Sequence, residues 1–306
     1  MAYTNTDTNM TTSSALSAGM QTYYNRELLR TFEPNLVHLQ FGDEHRMPPH
    51  SGLVMNMRKL IPLETNTKAL SEGDPGESVM LAETEVTVQL QQYGEYARCT
   101  DKLDLTHLDM DIMRRTKLFG DAGARSIDAV VREELAKCAN VIYAGGKASR
   151  AELTAADKLT SRELRKAVKT LKKNHAQTFG GYFVAIIGPD TMYDLQEDEA
   201  FVKVSQYQDK ENIYTGEVGR LFGVRLVETT EAKIFEGAGV IVLGQYAYGV
   251  TSLKGAKPRV IVKPAGSAGT ADPLDQISTV GWKMDGFGAK LLQPEYAVRI
   301  ECGFSA

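Results

Sequence analysis

Two periodicities organise the 306-residue chain. Tyr23, Tyr24, Leu28, Leu29 and Phe32 recur at about 3.6-residue spacing and predict a helix, which Pro34 limits. Ile127, Val130, Val131, Leu135, Cys138, Val141 and Ile142 keep one apolar face over a longer stretch. They predict a helix from about Asp109 to Ala144, roughly 50 Å long if unbroken. Gly120 and Gly123 are candidate kinks within it, and Gly145-Gly146 ends it. A further helix is expected from Thr160 to His175. Thr160 and Glu163 have capping-box spacing, and Leu164, Val168 and Leu171 face inward.

Strand periodicity appears elsewhere. Val86, Val88 and Leu90 alternate with Glu85, Thr87 and Gln89, and the segment from Gly52 to Pro62 also reads as a strand. Between them lies a long polar excursion, Leu63 to Val79, with a turn signal at Gly73-Asp74-Pro75-Gly76. Met55 to Thr100 therefore reads as a long two-stranded arm with a loose tip. Such a ribbon is weak alone in water, and a loop of this length is uncommon in a compact domain unless it binds something. Its natural support is another chain. His45 to Ser51 reads as an extended, proline-stiffened link. Tyr182 to Ile187 is a continuous apolar run expected as a buried strand, and Gly188-Pro189-Asp190 turns into a short helix, Thr191 to Glu197. Further strands are expected at Val224–Glu228, Gly239–Leu243, Arg259–Val262, Val280–Met284 and Tyr296–Glu301. Helices and strands mix without regular βαβα alternation, so the expected class is α+β. Met1 to Gly19 is too rich in Thr and Ser to fold alone: either a disordered tail or an arm that orders against a neighbour.

Composition narrows the function more than the fold. With 42% hydrophobic and 24% charged residues the chain is ordinary globular protein. A net charge of −4 gives no global pull toward nucleic acid. Cys99, Cys138 and Cys302 lack CxxC spacing and read as reduced thiols. His45 and His50 lack the partners of a metal helix. Met1 to Met20 has no secretory pattern, and no apolar run reaches membrane-span length, so a soluble protein made in the cytoplasm is expected. Gly145-Gly146-Lys147 follows a helix and lacks the upstream glycine of a phosphate loop, and Gly237-Ala238-Gly239 leads into a strand. Asp109-Met110-Asp111 and Glu133-Glu134 have no companion base and read as solvated faces. Arg162, Arg165, Lys166, Lys169, Lys172 and Lys173 make the Thr160–His175 helix locally basic. That is either an exposed amphipathic face or a contact for phosphates or an acidic surface. No catalytic, cofactor-binding or metal-ligating set emerges.

Three glycine-punctuated segments follow one another: Gly216 to Thr229, Asp272 to Lys283 and Leu291 to Glu301. Their order resembles the major capsid proteins of tailed bacteriophages (Caudoviricetes), in particular the phage N-four-like family. The residues that carry it are Gly219, Arg220, Phe222, Gly223 and Arg225, then Asp272, Pro273, Gly281 and Trp282, then Pro294 and Glu295. Asp275-Gln276-Ile277 departs from the more polar, often basic, sequence expected there. The resemblance covers most of the chain and implies the Hong Kong phage capsid fold. It would divide the chain into an N-terminal arm (1–52), an extended loop (53–100), a peripheral domain with a spine helix (101–159), an axial domain (160–253) and a return to the peripheral sheet (254–306). Trp282 is expected in the core of that sheet. The implied function is structural rather than enzymatic, with no cofactor: self-assembly into the icosahedral head shell around a double-stranded DNA genome. The implied partners are copies of the chain in pentamers and hexamers, separate scaffolding, portal and decoration proteins, and packaged DNA contacted non-specifically, with no membrane. The implied place is the virion capsid, after synthesis in a bacterial cytoplasm. Glu64, Lys68, Glu72, Asp74 and Glu77 are the candidate inter-subunit contacts. Some relatives cross-link subunits through Lys and Asn side chains, but no such pair is expected among Lys59, Asn66 and Lys68. The alternative is a non-specific nucleic-acid-binding protein acting through the basic helix 160–175.

Overall fold

The computed structural model describes residues 18–32, 36–48, 50–60, 66–69, 78, 80, 83–102, 112–198, 220–234, 237–253, 257–267 and 272–303. In chain order, the first elements are helix α1 (Ala18–Phe32), strands β1 (Asp43–Met47), β2 (Val54–Leu60), β3 (Glu83–Gln89) and β4 (Gln91–Thr100), then helix α2 (Ile112–Leu135). Strand β5 (Asn140–Tyr143), helix α3 (Ser161–Lys173), strand β6 (Phe183–Ile187) and helix α4 (Pro189–Gln196) come next. The remainder is β-rich: β7 (Arg220–Leu221), β8 (Val224–Glu228), β9 (Lys233–Ile234), β10 (Gly237–Leu243), β11 (Tyr248–Leu253), β12 (Arg259–Lys263), β13 (Ile277–Leu291) and β14 (Ala297–Cys302).

These elements make two sheets and a ribbon, an α+β architecture. In the five-stranded sheet the order is β1-β11-β13-β12, and β4 lies along the other edge of β13. Only the β1–β11 pairing is parallel there. The seven-stranded sheet runs β5-β14-β10-β6-β8-β7, with β9 on β10. β2 and β3 pair only with each other.

Two cores hold the sheets. Leu28 and Phe32 of α1 and Ile127, Val131 and Leu135 of α2 pack on Tyr248, Trp282, Met284 and Phe287 of the five-stranded sheet. This core continues onto Val184, Ile186, Ile241 and Leu243 on one face of the seven-stranded sheet. The other face, with Phe183, Ala185, Ile187, Val240, Val242 and Ile300, packs on Leu164, Ala167, Val168 and Leu171 of α3. β6 is thus buried on both sides, which explains its uninterrupted apolar run.

Several expectations are corrected. The long helix ends at Leu135, not Ala144, and is about 36 Å long. Val141 and Ile142 belong instead to β5, where β-branched residues pair in parallel with Arg299 and Ile300. Gly145-Gly146 therefore closes a strand rather than a helix. Gly120 and Gly123 do not break α2; they admit close neighbours. A Cβ at Gly120 would lie 3.2 Å from the Leu28 carbonyl oxygen, and one at Gly123 2.8 Å from the Trp282 ring. The capping box forms between side chains only: the Thr160 hydroxyl donates to the Glu163 carboxylate, and the Ser161 N–H is capped by Asp198 Oδ2 at 2.7 Å. That helix stops at Lys173, short of His175. Finally, the two-stranded ribbon is only β2 with β3, because β4 leaves it after Leu90 and pairs with β13, burying Cys99.

One buried network was not anticipated. His38, between α1 and β1, donates its backbone N–H to Asp128 Oδ1 at 2.7 Å, and its Nδ1 lies 2.6 Å from Asp128 Oδ2. The Tyr248 hydroxyl donates to the His38 carbonyl. Both side chains of the His38–Asp128 pair are fully buried. The segment after α1 is thereby fastened to α2 and β11. Asp128 was legible as an anomaly: it shares the helix face of Ala124, Ile127 and Val131.

Candidate functional site

The β2–β3 ribbon has one apolar face. Met55, Met57, Val86 and Val88 share it through the Met55–Val88 and Met57–Val86 pairs. Met57 and Val88 pack against Leu292, and Gly249 makes room for Met57: a Cβ there would lie 2.6 Å from Met57 Sδ. The opposite face, with Val54, Asn56, Arg58, Glu85 and Thr87, is exposed. A two-stranded ribbon is marginally stable by itself in water, so this one depends on the surface that its apolar face covers. Of the loop candidates, Glu64, Glu72, Asp74 and Glu77 lie outside the described residues. Lys68 is exposed, and its backbone N–H donates to Asn66 Oδ1 at 2.9 Å.

The motif residues form joints. Pro294 and Glu295 open a short turn on which three elements converge. Lys59 of the ribbon donates to Glu295 Oε2 at 2.8 Å, and Asn174 after α3 to the Glu295 carbonyl at 3.0 Å. Asn140 at the start of β5 donates to the Pro294 and Ala297 carbonyls, both at 3.2 Å. The Lys59 hydrogen bond, against a smaller effect of burial, holds the Glu295 carboxyl below the usual carboxylate range. Phe222 and Gly223 link β7 to β8 with φ of 51° and 79°, the paired positive values of a primed hairpin turn. The Arg165 guanidinium of α3 sits over the Phe222 ring at 5.2 Å, so this tip rests on the basic helix. Arg225 is exposed on β8 opposite Arg220, and Gly219 lies outside the described residues. Asp272 is buried and caps the start of β13: its Oδ2 accepts the Ile277 N–H at 2.7 Å. Pro273 beside it is exposed, as is Asp275, with φ of 52°. Gly281 lies where β4 comes closest, since a Cβ there would meet the Glu95 carbonyl oxygen at 2.5 Å. Trp282 is in the core, edge-on to Phe32 with ring centroids 6.3 Å apart. These residues are thus spread over both sheets and share no single pocket.

On α3, Arg162, Arg165, Lys169, Lys172 and Lys173 face solvent, while Lys166 pairs with Glu163 at 3.7 Å. Glu134 corrects the expectation of a solvated Glu133-Glu134 pair. It is buried and ion-paired with Lys137 at 2.6 Å and Lys290 at 3.0 Å, tying α2 to β13. Asp109 and Asp111 lie outside the described residues. The three cysteines are free and buried. Burial pushes the Cys138 thiol up to about 11 and the Cys302 thiol up to about 12, which makes both poor nucleophiles at neutral pH. Among the described residues no cluster of three or more His, Cys, Asp or Glu could hold a metal, and no helix is long and apolar enough to cross a membrane.

Glu301 is the charged centre of β14. Arg150 grips it with Nε and Nη2 at 2.6 and 2.7 Å, and Arg299 Nε lies 2.7 Å away. Burial pulls the Glu301 carboxyl up, but the two guanidinium groups outweigh it and hold the acid below its usual 4.5. The folded state therefore favours the ionised form. Its contribution is present above the unfolded value and is lost as pH falls through the folded one. Thermal melts are expected to fall steeply below about pH 4.5, and Glu301→Gln should flatten that acid limb. An unchanged limb in the variant would remove Glu301 from the account.

Comparison with known proteins gives a consistent result. A family model described as phage capsid protein matches residues 83–300. No curated protein matches the chain. Among solved structures, the capsid of cyanophage P-SCSP1u is 15% identical with a TM-score of 0.66, over 88% of this chain and 89% of that one. The capsid of Ralstonia phage GP4 is 13% identical with a TM-score of 0.66, over 100% and 98%. The capsid of cyanophage Pam1 is 15% identical with a TM-score of 0.63, over 89% and 92%. At these identities the likeness is one of fold, and it reaches from the first helix to the last strand.

Proposed function

The chain belongs to the phage capsid protein family, and we propose that it works as the repeating major capsid subunit of a tailed-phage head, enclosing double-stranded DNA. The observation that carries this beyond family membership is the β2–β3 ribbon. It packs one face along Thr251, Gly249, Leu292 and Glu295 and leaves the other face exposed, and the acidic segment 61–82 follows its end. In a closed lattice each subunit meets several neighbours through different surfaces, and a projecting clasp makes each added contact nearly intramolecular. The role is mechanical, and the joints at Pro294–Glu295 and Phe222–Gly223 serve to hold the subunit's shape under lattice load.

Within this reading, the five-stranded sheet with α1 and α2 corresponds to the peripheral domain, and the seven-stranded sheet with α3 and α4 to most of the axial domain. The partners are other copies as pentamers and hexamers, with separate scaffolding, portal and decoration proteins and non-specific contact with packaged DNA; the place is the virion, after synthesis in the host cytoplasm. On the basic face of α3, Arg165 is engaged by Phe222 and Lys166 by Glu163, while Arg162, Lys169, Lys172 and Lys173 stay open to solvent for a non-specific contact. Deleting 64–77 is expected to leave a soluble subunit with parental melting but to lower particle yield several-fold, read by gradient sedimentation. Undiminished yield and particle stability would refute the clasp.

A further inference from the structure

Helix α3 lies over the seven-stranded sheet with Leu164, Ala167, Val168 and Leu171 turned into the core. Its outer side is uniform. All five exposed residues of the helix are cations: Arg162, Arg165, Lys169, Lys172 and Lys173. They recur at steps of three and four residues, so neighbours stand about 5–6 Å apart along a ridge roughly 16 Å long. This spacing sets like charges against one another: Arg162 with Arg165, Arg165 with Lys169, and Lys169 with both Lys172 and Lys173. Each such contact weakens the isolated helix. The helix macrodipole offsets the repulsion at Lys172 and Lys173 in the last turn and adds to it at Arg162 in the first. Among the described residues no carboxylate pairs with any of the five. Glu163, the one acid on the helix, is buried and engaged by Thr160 and Lys166. Asp198 is spent on the Ser161 N–H, Glu197 on Lys158 and Glu295 on Lys59. Phe222 steadies the Arg165 guanidinium without neutralising it.

We propose that this ridge grips the phosphates of the packaged duplex, and that the α3 side of the seven-stranded sheet therefore faces the inside of the shell; the proposal rests on the capsid reading and adds to it a surface and an orientation. The make-up of the ridge selects the partner. A protein interface has an apolar centre from which charged residues, Lys among them, are depleted, and α3 exposes no apolar side chain. Phosphates ask only for cations. No exposed aromatic side chain stands on the helix to stack a base, so the contact is independent of sequence. A duplex carries one charge per about 1.7 Å of its axis, so about nine phosphates fall within the length of the ridge, enough to engage all five cations. A bound duplex turns the repulsion along α3 into attraction, which gives a use to an arrangement that costs the isolated subunit stability.

Two measurements on the full-length chain test this. Mixed-sequence duplex DNA titrated onto the unassembled subunit should bind with a log–log salt slope of about −4.5, near 0.9 for each of five phosphates. Lys169→Gln, Lys172→Gln and Lys173→Gln together should make that slope shallower by about 3. Melting of this variant should stay near that of the parent, because only exposed side chains change and like-charge contacts are removed. In DNA-filled particles, a bulky lysine-acylating reagent should spare Lys169, Lys172 and Lys173, and should modify them once the particles are opened and the DNA is digested. An unchanged slope in the folded variant overturns the proposal while the capsid reading stands. Modification of these lysines in intact particles overturns it equally, by placing the ridge outside. Protection that persists after opening and digestion would assign the ridge to a protein partner and overturn it too. A parent chain that forms no particles would overturn the capsid reading and the inward orientation together.

Discussion

Trp282→Ala is expected to cost about 3–5 kcal/mol in the unassembled subunit, read by urea melts. Trp282 is the only tryptophan and is 3% exposed. It fills the space between β13, Phe32 of α1 and the gap left by Gly123 on α2. Truncation therefore opens a cavity where three elements meet. Trp282→Phe should cost much less, because it keeps an aromatic edge and removes a buried Nε1–H that has no hydrogen-bond partner among the described residues. Native-like melting of the alanine variant would show that the sheet and the two helices are not held together at this point.

Asp128→Ala is expected to cost about 3–5 kcal/mol, by a different mechanism. Asp128 receives the His38 backbone N–H on one oxygen and faces His38 Nδ1 with the other, all without access to water. Removing it strands both groups. The segment 36–42 should loosen first, so amide exchange there should accelerate more than exchange in α3. Asp128→Asn keeps an acceptor for the backbone N–H and should fall between the two. Equal protection of 36–42 in parent and variant would contradict the fastening role.

Much of this architecture was legible because its signals are local. Leu28 and Phe32, Leu164 and Leu171, and the run Phe183–Ile187 announce their elements by spacing alone, and the structure buries all of them. Non-local pairing was not legible. Asn140–Tyr143 continues the apolar pattern of α2 without a break, and only the partner strand β14 makes it a strand. The same holds for β4, whose Tyr93 and Tyr96 suit either a free ribbon or a sheet edge until β13 claims them. Gly123 reads as a kink in sequence and as a socket for Trp282 in space, because a glycine carries no mark of which neighbour needs the room. The assembly surfaces were partly legible. The polar excursion at 63–79 reads as a partner contact in sequence, and apart from 66–69 and Ser78 it lies outside the described residues.

The central claim is that this chain builds a closed shell, and electron microscopy of the purified full-length protein under assembly conditions tests it most directly. The account predicts closed particles or capsomer rings whose subunits show the two sheets, with the β2–β3 ribbon of each lying over a neighbour. A protein that stays monomeric at every concentration and ionic strength, or particles in which the ribbon touches only its own subunit, would contradict it.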